Sequence, residues 1–246
     1  MGCWGTFCVF DHARFVGQVL PALAMGERHP LVAEVIAVGQ KLRRFDCEFW
    51  GLDLVLDHLR ADCSSCALGR DFWVREGVLH TSARTDWTSA VWGYAELCEL
   101  MEMMVTRHCV SHFANLGRTH HLALALRPCN LCGMDDLMQQ LVTLLESRAA
   151  YFKHGDGGYN EGLNGWLDAD ETYLFGEGLR GLSPDLKRVT LSEGSALTDV
   201  VRLLQATVDV AVQRQVGVLW GGDLNVLYAH AWPFLAQEVG PVALSL

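Results

Sequence analysis

Residues Asp86 to Phe113 read DWTSAVWGYAELCELMEMMVTRHCVSHF, and the period of their apolar side chains sets the expected fold. Trp87, Val91, Tyr94, Cys98, Met101, Val105, His108 and His112 recur at spacings of three and four. Such a seam lets one face of a 3.6-residue helix meet a core. Leu97, Leu100 and Met104 widen the apolar surface, and Glu99, Glu102 and Thr106 mark a narrow wet face. The spacing predicts one long helix over 86–113 at the centre of the molecule.

Toward the N-terminus, Phe72-Trp73-Val74 and Val78-Leu79-His80 flank Glu76-Gly77, two short apolar runs joined by a turn, which predicts a β-hairpin. Trp50 to Leu59 carries Leu52, Val55, Leu56 and Leu59 at helical spacing. Pro30 suits the first position of a helix bearing Leu31, Val32, Val35, Ile36 and Val38, which Gly39 or the cluster Lys41, Arg43 and Arg44 should end. Asp11 caps a helix carrying Phe15, Val16, Val19, Leu20 and Leu23, in which Pro21 predicts a kink. Met1-Gly2-Cys3-Trp4-Gly5-Thr6 fits the bare acylation pattern, while Trp4, Phe7, Val9 and Phe10 fit a buried strand.

Toward the C-terminus, Asp136 and Gln139 resemble a capping box ahead of Leu137, Leu141, Leu144, Leu145, Ala149 and Phe152. Gly155, Gly157, Gly158, Gly162 and Gly165 suggest a linker or mobile loop. Asp168 to Arg180 is ambiguous, and Leu186 to Leu191 reads as a strand. Ser195 caps a helix carrying Leu197, Val200, Val201, Leu204, Val208 and Ala211, and Val216 to Trp220 forms another apolar run. The sum is a mainly α chain, α+β with a minor β component. Residues 1–154 form a helical domain and 155–246 a smaller subdomain packed on it, or the whole chain forms one domain.

Half of the 246 residues are hydrophobic and a fifth are charged, which is the composition of a compact globule. A formal charge of −10 repels phosphate backbones and anionic lipid, so nucleic acid and membrane are not expected partners; a basic protein is. No apolar run reaches the length of a membrane span. Nine cysteines without an export signal point to the reducing cytoplasm, where paired thiols hold metal or do redox work.

The chain has two C-x-x-C pairs, Cys63-Cys66 and Cys129-Cys132, the second followed by Gly133 as a zinc knuckle needs. Their four thiolates match a closed tetrahedral structural zinc site, which would tie the segment before the central helix to the loop after it. Merely reduced thiols and a redox dithiol are the competing readings, the latter without a surrounding β-α-β pattern. His108 and His112, four apart on one helix, can present two imidazoles to a second metal, with a third ligand from His120, His121 or an acidic loop residue. They lack the neighbouring glutamate of metalloprotease helices, and the end of a core seam is the simpler explanation of both.

Met101, Met103 and Met104 near Cys98 have the softness for copper, but such methionines commonly fill cores. Asp156, Glu161, Asp168, Asp170 and Glu171 are candidates for a cation or an acid–base pair, against a solvated loop. Gly217-Val-Leu-Trp-Gly-Gly-Asp223 with His230 is similar to the final segment of phage-type cell-wall peptidases of the zinc carboxypeptidase family. The upstream S-x-H-x-x-G-x-x-x-D arrangement is absent, so the resemblance supplies no ligand set. No Walker loop or G-x-S-x-G is present. The sequence thus predicts a zinc-stabilised binding or regulatory protein acting through protein contacts. The alternative is a metal-dependent enzyme centred on His108 and His112.

Overall fold

The computed structural model describes residues 5–25, 29–44, 72–75, 78–81, 101–117, 119, 122, 126, 135–149, 153–154, 161–182, 197–222 and 224. The elements, in chain order, begin with strand β1 (Gly5–Phe10) and a helical run α1, made of α-helical His12–Arg14, π-helical Phe15–Val19 and α-helical Leu20–Met25. Helix α2 (Pro30–Arg44), strands β2 (Phe72–Arg75) and β3 (Val78–Thr81), helical residues 101–108 (α3) and strand β4 (Val110–Asn115) follow. Then come helix α4 (Asp136–Ser147), strands β5 (Lys153–His154) and β6 (Glu161–Leu167), helices α5 (Ala169–Gly181) and α6 (Leu197–Arg214), and strand β7 (Gly217–Gly222). The chain is mainly α-helical with a minor β component, as its periodicities predict.

Two compact units divide the chain: Met1–His12 with Val110–Leu224, and Ala13–Cys109 with Asn225–Leu246. The first holds a five-stranded antiparallel sheet in the order β4-β1-β7-β6-β5. All six residues of β1 and of β7 are buried, so these inner strands show no alternation of polar and apolar residues. Phe7, Val9, Leu167, Val218 and Trp220 join Val142 and Leu145 of α4, Phe175 and Leu179 of α5, and Leu204 and Val208 of α6 in one core.

The cap of helix α4 lies one residue before the expected Asp136: the Asp135 carboxylate accepts from the Met138 N–H at 2.8 Å. Leu137, placed on the apolar face by the sequence pattern, is 44% exposed, and Met138, Leu141, Val142 and Leu145 form that face instead. Two glycines of the expected loop belong to β6. Gly162 has φ 87°, and a Cβ on Gly165 would fall on the backbone carbonyls of Leu144 and Leu145, so only a glycine lets α4 lie this close to the strand.

In the second unit, α2 begins at Pro30 as the sequence predicts, with the Val32 and Ala33 N–H groups donating to the His29 carbonyl. It continues past Gly39 and ends in the basic cluster, with Val32, Val35 and Val38 buried. The hairpin forms in the expected register, Arg75 opposite Val78. Just before Pro21, α1 widens: the Leu20 N–H reaches back to the Phe15 carbonyl, a π-turn that makes room for the proline ring against the preceding turn.

The long helix over 86–113 is not continuous. Residues 101–108 are helical, Cys109 turns, and Val110–Asn115 pairs with β1 as β4. Glu102 and Thr106, expected on a wet face, are buried, and the Thr106 hydroxyl donates to the Glu102 carbonyl at 2.7 Å. The expected helix over 50–59, the strand over 186–191 and the cap at Ser195 lie outside the described residues.

Candidate functional site

In the first unit, β6 runs directly into α5 through Asp168. The Asp168 carboxylate accepts from the Glu171 N–H at 2.9 Å, and the Glu171 carboxylate accepts from the Asp168 N–H at 2.9 Å, a reciprocal capping box that satisfies two amides of the helix start. Glu171 has a second task. Arg148, which follows α4 and is only 5% exposed, donates Nη1 and Nη2 to its two carboxylate oxygens at 2.5 Å each. Nη1 also donates to the Trp166 carbonyl at 3.0 Å. A cation at the end of one helix and an anion at the start of the next each sit where the helix dipole favours them, and the fork geometry fixes both.

His12, just beyond β1, completes the cluster. Its ring lies 6.2 Å from Phe10 and 6.3 Å from Trp166, centroid to centroid, while Phe10 and Trp166 are 6.1 Å apart. The Nε2 of His12 is buried and has no hydrogen-bond partner. Burial pushes the His12 imidazole below its ordinary range; Asp168, Glu171 and Asp11 pull it up and Arg148 pushes it further down. Burial pushes the Glu171 carboxyl up, but the hydrogen bonds from Arg148 and the Asp168 amide outweigh it and hold Glu171 below the usual carboxylate range. The result is an uncharged imidazole beside a fixed, internally neutralised ion pair.

The same unit buries further polar atoms without partners: the Asn164 amide oxygen and nitrogen, Arg148 Nε, the Thr172 hydroxyl and Trp220 Nε1. In the second unit, His108 is 6% exposed and its Nε2 is buried without a partner. Burial pushes it down to about 4, with Arg107 and Arg14 acting the same way and Glu34 and a hydrogen bond with the Leu31 backbone opposing. Arg107 Nη2 donates to Glu34 at 2.9 Å.

The metal readings are corrected. Among the described residues, no three His, Cys, Asp or Glu side chains stand close enough to hold an ion, so neither structural zinc nor a His-based metal site is supported. The zinc-stabilised binding or regulatory protein and the metal-dependent enzyme both fall with that finding. Of the residues named for these sites, Cys63, Cys66, Cys129, Cys132, His120 and His121 lie outside the described residues. His108 and His112 do not share a helix face, because the chain turns at Cys109 and His112 belongs to β4, opposite Val9.

Met101, Met103 and Met104 are buried among the core residues. Of the acidic group, Asp156 lies outside the described residues and Glu161 sits in β6, while Asp168, Asp170 and Glu171 occupy the start of α5 as cap and first turn. The D-x-x-E spacing of Asp168 and Glu171 was the readable signal for this site. Nothing local to His12 or Arg148 announces that they meet it. No protein-family model, curated protein or solved structure matches the chain.

Proposed function

We infer that the first unit binds a small polar molecule and exchanges a proton with it through His12. The observation that carries this reading is the buried, unpartnered Nε2 of His12 beside the Arg148–Glu171 pair. An imidazole held neutral offers one nitrogen as acceptor and the other as donor, which is the state a general base needs near pH 7. Phe10 and Trp166 hold the ring, and Arg148, already committed to Glu171 and the Trp166 carbonyl, serves as its positioning residue.

The formal charge of −10 supports neutral or basic partners over polyanions, and nine cysteines support a reducing compartment such as the cytoplasm. Among the described residues no helix is long and apolar enough to cross a membrane. The test is nitrogen-15 NMR of the histidines during a screen of small polar fragments. A binder is expected to shift His12 Nε2 selectively, and the shift should vanish in His12→Gln. A His12 that titrates at or above its ordinary 6.5, or that no fragment perturbs, overturns the reading.

A further inference from the structure

Strand β6 carries an extra residue. Leu163 pairs with Gly221 and Gly165 with Trp220, neighbouring positions of β7, so Asn164 is left over as a bulge. Its backbone is not free: the Asn164 carbonyl accepts from the Ala149 N–H at 2.9 Å, which pins the bulge to the end of α4. Its side chain is 0% exposed, and neither the amide oxygen nor the amide nitrogen has a partner. A buried amide left unpaired is worse for the fold than an apolar side chain of the same shape.

Two more buried groups are unpaired on the elements that pack here, Arg148 Nε after α4 and the Thr172 hydroxyl, 0% exposed, in α5. Donors and an acceptor are therefore left unpaired on these packed elements, where the charge of Arg148 is already neutralised by Glu171. Arg148 thus has no charge to spare, and an anion gains little from it to offset its loss of water.

We propose that the Asn164 bulge is a ligand subsite that receives a neutral, flat edge presenting a donor beside an acceptor, as a carboxamide or the N6/N7 edge of adenine does. A primary amide is self-complementary to such an edge, donating from Nδ2 and accepting at Oδ1 in a paired contact. The subsite deepens the reading of His12, on which it rests only for the placing of the ligand's reactive end: Trp166, two residues along β6, is the ring against which His12 lies. Because Asn164 is closed off, entry requires local opening of the bulge, and association is slower than the usual 10⁵ to 10⁷ M⁻¹s⁻¹ of unhindered docking, roughly.

The experiment titrates the full chain with acetamide and, separately, with adenine, following the Asn164 side-chain NH₂ signals, which are assigned by their absence in Asn164→Leu. The expected result is a saturable shift with at least one probe. Binding followed by tryptophan fluorescence should weaken at least about tenfold in Asn164→Leu, the equivalent of about one hydrogen bond. Response to acetamide alone identifies a carboxamide ligand, and tighter response to adenine a nucleobase edge. Without probe, Asn164→Leu should melt no lower than the parent; if it fails to fold, Asn164→Ser takes its place.

The proposal is overturned if neither probe shifts the amide, if the variants bind as the parent does, or if a crystal grown with either probe shows only a water on Asn164. His12→Gln should keep the Asn164 shifts. Loss of the His12 response with retention of the Asn164 response sinks the proton-transfer reading alone, and the reverse sinks the subsite alone.

Discussion

Arg148 links more of the site than any other described residue, and nothing in its own neighbourhood in the sequence marks it. Its guanidinium donates from Nη1 and Nη2 to Glu171 and from Nη1 also to the Trp166 carbonyl, in a setting that leaves the arginine side chain 6% and the glutamate 23% exposed. Removing one member of such a pair strands the other charge. Arg148→Met is therefore expected to cost roughly 2–4 kcal/mol in urea denaturation, with the Glu171 carboxyl rising back toward 4.5 in a carbon-13 titration. Exchanging both partners, Arg148→Met with Glu171→Leu, should recover most of the loss, since well-packed apolar groups replace a desolvated pair at little cost. A double variant as unstable as the single one would show that the Trp166 carbonyl bond, and not the ion pair, carries the stability.

Among the elements, legibility followed the distance over which each was decided. The hairpin of β2 and β3, the start of α2 at Pro30 and the apolar face of α6 follow from neighbours in the sequence, and all three were readable. The segment Val110–Asn115 was not. Its residues continue a three-and-four spacing that fits a helix, yet β1 offers it a partner strand far away in the chain, and pairing outweighs a weak local preference. Gly162 and Gly165 misled for the same reason, since a glycine needed for close approach and a glycine in a loop look alike in sequence. Gly165→Ala is expected to destabilise by about 1–3 kcal/mol, because its methyl group meets the main chain of α4, which cannot swing aside. Gly17→Ala meets nothing and should instead stabilise α1 by roughly 0.5–1 kcal/mol. Thermal melts of the two variants check both signs at once.

For the whole molecule, acid stability draws on groups in both units. Burial holds His108 near 4 against an ordinary 6.5, so between those values the unfolded chain carries a proton that the folded chain lacks. Linkage then makes stability rise with pH from about 4 to about 6.5 and fall on acidification through that window. His12, also depressed, acts in the same direction just below 6.5, and the contribution of Glu171 is present above 4.5 and lost as pH drops through its folded value. Denaturation at pH 5 and pH 7 should show the slope, and His108→Gln should flatten it; an unchanged slope would assign the acid sensitivity elsewhere. The candidate site was half legible at this scale. The D-x-x-E start of α5 stands in the sequence, but that β1 delivers His12 to it is a property of the sheet order, which no local pattern encodes.

That order also bears on biosynthesis. β1 lies between β4 and β7, and its partners are Val110–Asn115 and Gly217–Gly222. At ribosomal speeds of about 5–20 residues per second, roughly 10–40 seconds separate the emergence of the first strand from that of the last. Until the second of these partners emerges, an oily hexapeptide keeps at least one hydrogen-bonding edge on offer to other nascent chains, and that is the interval in which chaperone cover counts most.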